Sequence, residues 1–225
     1  MIASTSSSTS AAVPIRLVLG SRNPKKCREL AELIAPPWER GPWMDQIQIE
    51  SIAAYPDCPD VVEDADTFAG NARKKASETA MRLGAWVLAD DSGLAVDALG
   101  GAPGVYSARY AGEPTDDAAN CRKLLEALAE TPDDRRGAAF RCVLAVSDPT
   151  GRVRLETEGS VRGRIIRELR GPGGFGYDPM FLIPEYHATF GELSPLVKHQ
   201  LSHRARAFAL LRPKLQRLVA EVVGG

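Results

Sequence analysis

The order in which apolar runs and helical patterns follow one another restricts this chain more than any other feature. The stretch "IRLVLGS" (15–21) is a short apolar run of the kind buried in a parallel or mixed sheet. It passes directly into "NPKKCRELAELIA" (23–35), where Asn23 can cap a helix, Pro24 suits its first position, and Leu30, Leu33 and Ile34 supply an apolar face. "QIQIESI" (46–52) alternates like a strand, and the Pro- and acid-rich stretch 55–66 reads as a loop. Thr67 to Leu83 reads as a helix with Phe68, Ala72, Ala76, Ala80 and Leu83 roughly on one side. "AWVLA" (85–89) is then a strand expected to end at Asp90 and Asp91. A Gly- and Pro-rich loop (98–112), a capped amphipathic helix (115–130) and two strands (138–148 and 153–165) follow, the strands joined as a hairpin about "PTG". A final helix starts near Ser202, and Pro213 inside it should kink or split it. Strands alternate with helices in the first half and cluster in the second, which implies an α/β fold on a mixed sheet.

With 225 residues the chain can bury a large core, and residues 15–225 are expected to form one domain. Residues 1–14 are Ser/Thr-rich and lack the basic start and apolar stretch of a secretory signal, so they read as a loose tail. No segment approaches the roughly 18 apolar residues that span a bilayer, and no membrane partner is expected. The 28 basic and 29 acidic residues nearly cancel, to a formal charge of −1. No global field therefore draws the protein to nucleic acid, and any polyanion must be met locally. Cys27, Cys58, Cys121 and Cys142 are widely spaced with no CxxC pair, which fits buried thiols in a reducing cytoplasm.

Five stretches carry possible chemistry. "GPGGFG" (171–176) matches G-x-G-x-x-G, yet "YDPMFLIP" follows it, so no dinucleotide-binding helix can start there, and its glycines suggest close approach of the backbone to something. Ser21, Arg22 and Asn23 lead a strand into a helix, aiming free N–H groups and the positive helix end at one point, with Lys26 one turn in. Either phosphate binds there or the helix is simply capped and its lysines solvated. Asn71 and Lys75 lie four apart on the helix beside "VEDAD", which holds Glu63. Asp90 and Asp91 need a cation or donors to offset their charge: they suit Mg²⁺, or one of them caps a turn with Ser92 and Gly93. "GFGYDP" joins Phe175 and Tyr177 to Asp178, and "VKHQLSHRARA" supplies Lys198, His203 and Arg204: aromatic faces stack on flat bases while Asp and Arg read hydrogen-bond edges.

The ordered series "SRNPKK", "TFAGNARKKA", "ADDSGLAVDALGGAPGVYSARYAG", "GGFGYDPMF" and "ELSPLVKHQLSHRARA" resembles the inosine/xanthosine triphosphate pyrophosphatase family, from about residue 15 to 212. The resemblance implies a long, bent mixed β-sheet flanked by helices, two lobes around a central cleft, a homodimer, and Mg²⁺-dependent hydrolysis of ITP, dITP or XTP to the monophosphate and pyrophosphate. It implies that Ser21, Arg22, Asn23, Pro24, Lys25 and Lys26 hold the triphosphate, joined by Lys75 and Asn71. Asp91 is implied as general base and metal-linked carboxylate, with Glu63 assisting; Ser92 touches the nucleotide. Phe175, Gly176, Tyr177 and Asp178 are implied to form a base pocket that Lys198, His203 and Arg204 close. Two positions depart from the family pattern: Lys25 stands where glycine is usual, and Gly70 where a glutamate is common, which puts more of the metal on Asp91 and Glu63. The rival readings are a same-fold pyrophosphatase for modified pyrimidine nucleotides and a nucleotide-binding regulator without catalysis.

Overall fold

The computed structural model describes residues 14–36 and 41–224. All but the last residue of the expected tail, 1–14, lies outside that range, as does Gly225. The elements run β1 (Ile15–Leu19), α1 (Pro24–Ile34), β2 (Ile47–Ser51), α2 (Phe68–Leu83), β3 (Trp86–Val96), α3 (Asp117–Ala127), β4 (Gly137–Ser147), β5 (Val153–Ile165), β6 (Phe181–Ile183), β7 (Ala188–Thr189), α4 (Pro195–Leu201) and α5 (His203–Gly224). One sheet takes all seven strands in the order β2-β1-β3-β4-β5-β6-β7. β1 pairs in parallel with β2 and β3, and every later pairing is antiparallel. The parallel pairs need long crossovers, which α1 and α2 supply, while the antiparallel β4–β5 hairpin needs only a short turn.

Alternation along the strands decides what each helix covers. On one face, Leu17, Leu19, Leu88, Cys142 and Leu144 pack against Leu30 and Ile34 of α1 and against Phe208 and Leu211 of α5. On the other, Ala89, Val143 and Ala145 pack against Phe68, Ala72 and Ala76 of α2. A further cluster at the far end joins Leu94, Phe140, Val161, Phe181 and Phe190 to Cys121 and Leu124 of α3. Each fully buried Leu or Phe in these clusters contributes roughly 1.5–3 kcal/mol. β3 runs from the first cluster, at Leu88, to the far one, at Leu94. Between these two lobes, around Asp91, a cleft of about 340 Å³ opens.

Helix starts follow the local chemistry. Asn23 Oδ1 accepts from the amides of Lys25 and Lys26, Thr67 Oγ1 accepts from Gly70, and Asp116 Oδ1 accepts from Ala118 and Ala119. Thr67→Ala is therefore expected to cost about 1 kcal/mol, read as a lowered melting temperature with a single unfolding transition. Two expectations need correction. β3 does not end at the acidic pair but continues through Asp90 and Asp91 to Val96, because β4 stays paired along its whole length. What stops there is the parallel neighbour: β1 pairs only as far as Leu88, with one further bond from the Gly20 amide to the Leu88 carbonyl. Nor does Pro213 split α5, whose buried residues on either side of it, Phe208 and Leu211 before, Leu215 and Leu218 after, bind one common cluster. The final helix starts at His203, next to the expected Ser202, and a separate short helix that the pattern did not show, α4, capped by Ser194, precedes it.

Candidate active site

Consecutive residues of a strand point to opposite faces, and this resolves the doubled charge. Asp90 turns toward α1 and α5, where Lys26 Nζ lies 3.3 Å and Arg204 Nη2 3.5 Å from its Oδ2. Asp91 turns toward α2, where Lys75 Nζ lies 3.3 Å from its Oδ1. The two carboxylates thus share one strand without sharing one environment. Burial pushes the Asp90 carboxyl up, but Lys26, Arg204 and Lys75 together outweigh it and hold the group well below the usual carboxylate range. For Asp91 burial wins: with Glu63 and Asp90 adding to it, Lys75 does not offset the rise.

On the α2 face Lys75 bridges two acids, meeting Glu63 at 3.1 Å as well as Asp91. Burial disfavours the ammonium, yet Asp91, Asp90 and Glu63 raise its pKa above the ordinary lysine value. Asn71, fully buried, accepts from the Ala65 amide at 2.9 Å and so pins the loop that carries Glu63. Arg109, which no local pattern singles out, holds the same loop by donating to the Glu63 carbonyl at 3.1 Å. At Gly70 an added Cβ would lie 2.7 Å from Ala65, so this tight turn leaves no room for the glutamate that is common there. Among the described residues no group of three or more His, Cys, Asp or Glu gathers as a metal cage. A divalent cation that keeps its waters and binds substrate phosphates needs only one or two carboxylates. Asp91 fits that role: its Oδ2 is buried and has no hydrogen-bond partner.

At the α1 end Ser21, Arg22, Asn23 and Lys26 line the cleft with Glu63, Lys75, Asp91 and Ser92. Arg22 is drawn aside by Asp60 at 2.6 Å and by the Cys58 carbonyl. Pro24 occupies the first turn of α1, and Lys25 leaves the phosphate end altogether, its Nζ standing 5.6 Å from the centre of the Phe175 ring.

The aromatic segment meets the α1 end through Lys25, which stands over the Phe175 ring. Asp178 Oδ2 accepts from the Phe175 amide at 2.8 Å and from Lys198 Nζ at 2.6 Å, and Lys198 also stands 4.8 Å from the Phe175 ring centre. A side chain at Gly174 (φ 80°) would strike the Asp178 carboxylate, so the close approach implied by these glycines is to the chain's own residues. Burial raises the Asp178 pKa despite Lys198. The Gly176 amide donates to Asp117 at 2.8 Å. Tyr177 does not join them: its ring lies in the far cluster and its hydroxyl donates to the Ser107 carbonyl at 2.9 Å. His203 is buried and stacked 4.9 Å from the Phe140 ring, with Nδ1 unpartnered. Burial, reinforced by Arg204 and Lys198, depresses its pKa and keeps it neutral. Arg204 donates to Ser92 Oγ at 3.1 Å and pairs with Glu29, a residue that none of the sequence motifs singles out. Glu29 lies three residues after Lys26, on the same helix face, and that spacing was the available signal.

The Ham1 family model matches residues 17–214. A dITP/XTP pyrophosphatase of Rhodopirellula baltica is 55% identical over 203 residues, covering 90% of this chain and 94% of the relative. Another, of Desulforamulus reducens, is 51% identical over 204 residues, covering 91% and 97%. Among solved structures, a HAM1 protein from Coxiella burnetii superposes with a TM-score of 0.80 at 38% identity, over 90% of this chain and 99% of that one. The nucleoside-triphosphatase / dITP/XTP pyrophosphatase from Mycobacterium abscessus gives 0.70 at 42% identity, over 88% and 100%. A family match across most of the sequence, relatives at about half identity and a shared fold leave one assignment: the chain belongs to the Ham1 family.

Proposed function

We propose that this protein is a Mg²⁺-dependent nucleoside triphosphate pyrophosphatase that takes deaminated purine nucleotides, ITP, dITP and XTP, and water to the monophosphate and pyrophosphate, clearing them from the nucleotide pool. One observation carries the reading: a cleft at the start of α1 gathers Lys26, Glu63, Lys75 and Asp91, and a line of ion pairs, Lys26–Asp90–Arg204–Glu29–Lys198–Asp178, leads from it to the aromatic segment at Phe175. Family membership supports the same activity, and so do the names of the relatives.

In this reading the triphosphate lies along Ser21, Asn23, Lys26 and Lys75, whose charge offsets its own. Asp91 and Glu63 are the residues that would hold Mg²⁺, which when bound neutralises charge on the departing pyrophosphate. Asp91, its pKa raised by burial, accepts a proton from the water that attacks the α phosphorus. The purine stacks on Phe175, and Lys198, His203 and Arg204 meet its edge. Inosine and xanthosine carry an oxygen acceptor where adenine carries an amino donor, so ATP leaves a buried donor unpaired, at roughly 1–3 kcal/mol. Asn71 and Tyr177 act here by holding the Glu63 loop and the far core rather than by touching substrate. Cytoplasmic location and a homodimer belong to the same reading, and the dimer is checked by light scattering on the purified protein.

Incubation with ITP, XTP, GTP, ATP and dUTP, with Mg²⁺ and with EDTA, tests the proposal. Pyrophosphate and monophosphate from ITP and XTP, abolished by EDTA, is the expected result. Orthophosphate as first product, preference for dUTP, or no turnover would sink it.

A further inference from the structure

Lys26 and Arg204 converge on a single oxygen of Asp90. Oδ2 lies 3.3 Å from the one and 3.5 Å from the other, and Ser92 Oγ donates to it at 3.1 Å. Oδ1 of the same carboxylate is buried without a partner. The Asp90 and Arg204 side chains are 0% and 1% exposed, so water does little to screen them. At its other end Arg204 pairs with Glu29, whose Oε1 stands 3.7 Å from Lys198, and Lys198 holds Asp178 at 2.6 Å. Asp178, Lys198, Glu29, Arg204, Asp90 and Lys26 therefore form one line of alternating charge. It runs from the Phe175 segment, whose amide donates to Asp178, to the first turn of α1.

We propose that Asp90 is a positioning residue that ties base recognition at Arg204 to the phosphate grip of Lys26, so that losing the cation at the phosphate end weakens the preference between bases. The inference rests on the nucleotide reading above and names a coupling inside that site. Its physical cause is the shared oxygen. An ammonium and a guanidinium bound to one Oδ2 limit each other's approach, and a buried array of this kind keeps its geometry only while complete. Without Lys26, Oδ2 is left to Arg204 and Ser92. The guanidinium then shifts relative to the base edge it has to meet.

ITP and ATP carry the same triphosphate, which makes the test direct. A Lys26 serving the phosphates alone lowers kcat/KM for both and leaves their ratio unchanged. With the tie in place, Lys26→Met lowers the ITP-to-ATP ratio of kcat/KM at least about fivefold, the lower end of usual coupling between sites. Lys26→Arg, which keeps a cation on Oδ2, holds the ratio near wild type. Asp90→Asn lowers the ratio as well, and adding Lys26→Met to it lowers the ratio no further. A folded Lys26→Met enzyme with the wild-type ratio overturns the proposal, whether or not Asp90→Asn folds. A wild-type enzyme that does not favour ITP over ATP overturns the substrate reading itself, and this inference with it.

Discussion

Asp91→Asn is expected to lower kcat for ITP by about 10²–10⁴-fold, the range that a positioned proton acceptor supplies, while the protein stays folded. The asparagine keeps the shape of the side chain and removes its basicity. Lys75 retains Glu63 at 3.1 Å, so no buried ammonium is abandoned. The sign of the stability effect follows from the raised pKa of Asp91. A group whose folded pKa lies above its unfolded value contributes stability below the unfolded pKa and loses it as pH rises through the folded one. Above the folded pKa that contribution is gone, so at such pH deleting the charge does not weaken the fold through the burial of this group. Single-turnover assays with ITP, together with thermal melts at neutral pH, separate the two effects. Full activity in a well-folded Asp91→Asn enzyme would remove Asp91 from the chemistry.

Gly159→Ala is expected to damage both stability and activity. Gly159 stands on β5 directly beneath α5, where an added Cβ would strike the Ala207 amide and the His203 carbonyl. These are backbone atoms of the first turns of α5, and backbone cannot swing aside as a long side chain can. The helix must lift, at about 1–3 kcal/mol for a core of this packing, and it carries His203 and Arg204 with it. Thr157, two residues away on the same face, loses the bond from its Oγ1 to the Ala207 carbonyl, now 2.9 Å. Ser160→Ala, on the exposed face of the same strand, serves as control and leaves both properties unchanged. Wild-type melting and wild-type kcat/KM in Gly159→Ala would show that α5 does not need this contact.

The starts of α1, α2 and α3 were legible in the sequence because each opens on a capping side chain, Asn23, Thr67 or Asp116, followed by apolar residues at helical spacing. The β4–β5 hairpin was legible for the same reason, with Asp148 accepting from the Thr150 and Arg152 amides in its turn. The chemical types of the site residues were also present in the string, as lysines and asparagine at α1, carboxylates on the third strand, and an aromatic loop. What the sequence could not show was where β3 stops, since a strand ends where its neighbours leave and not where its residues change. Nor could it show that Asp90 and Asp91 serve opposite faces, or that Arg204 arrives from 112 residues beyond Ser92 to share Asp90 with Lys26. Those facts depend on ion pairs between elements far apart in the chain. Such pairs leave no local period, and only the packing of α1, α2 and α5 on the two faces of one sheet brings them into being.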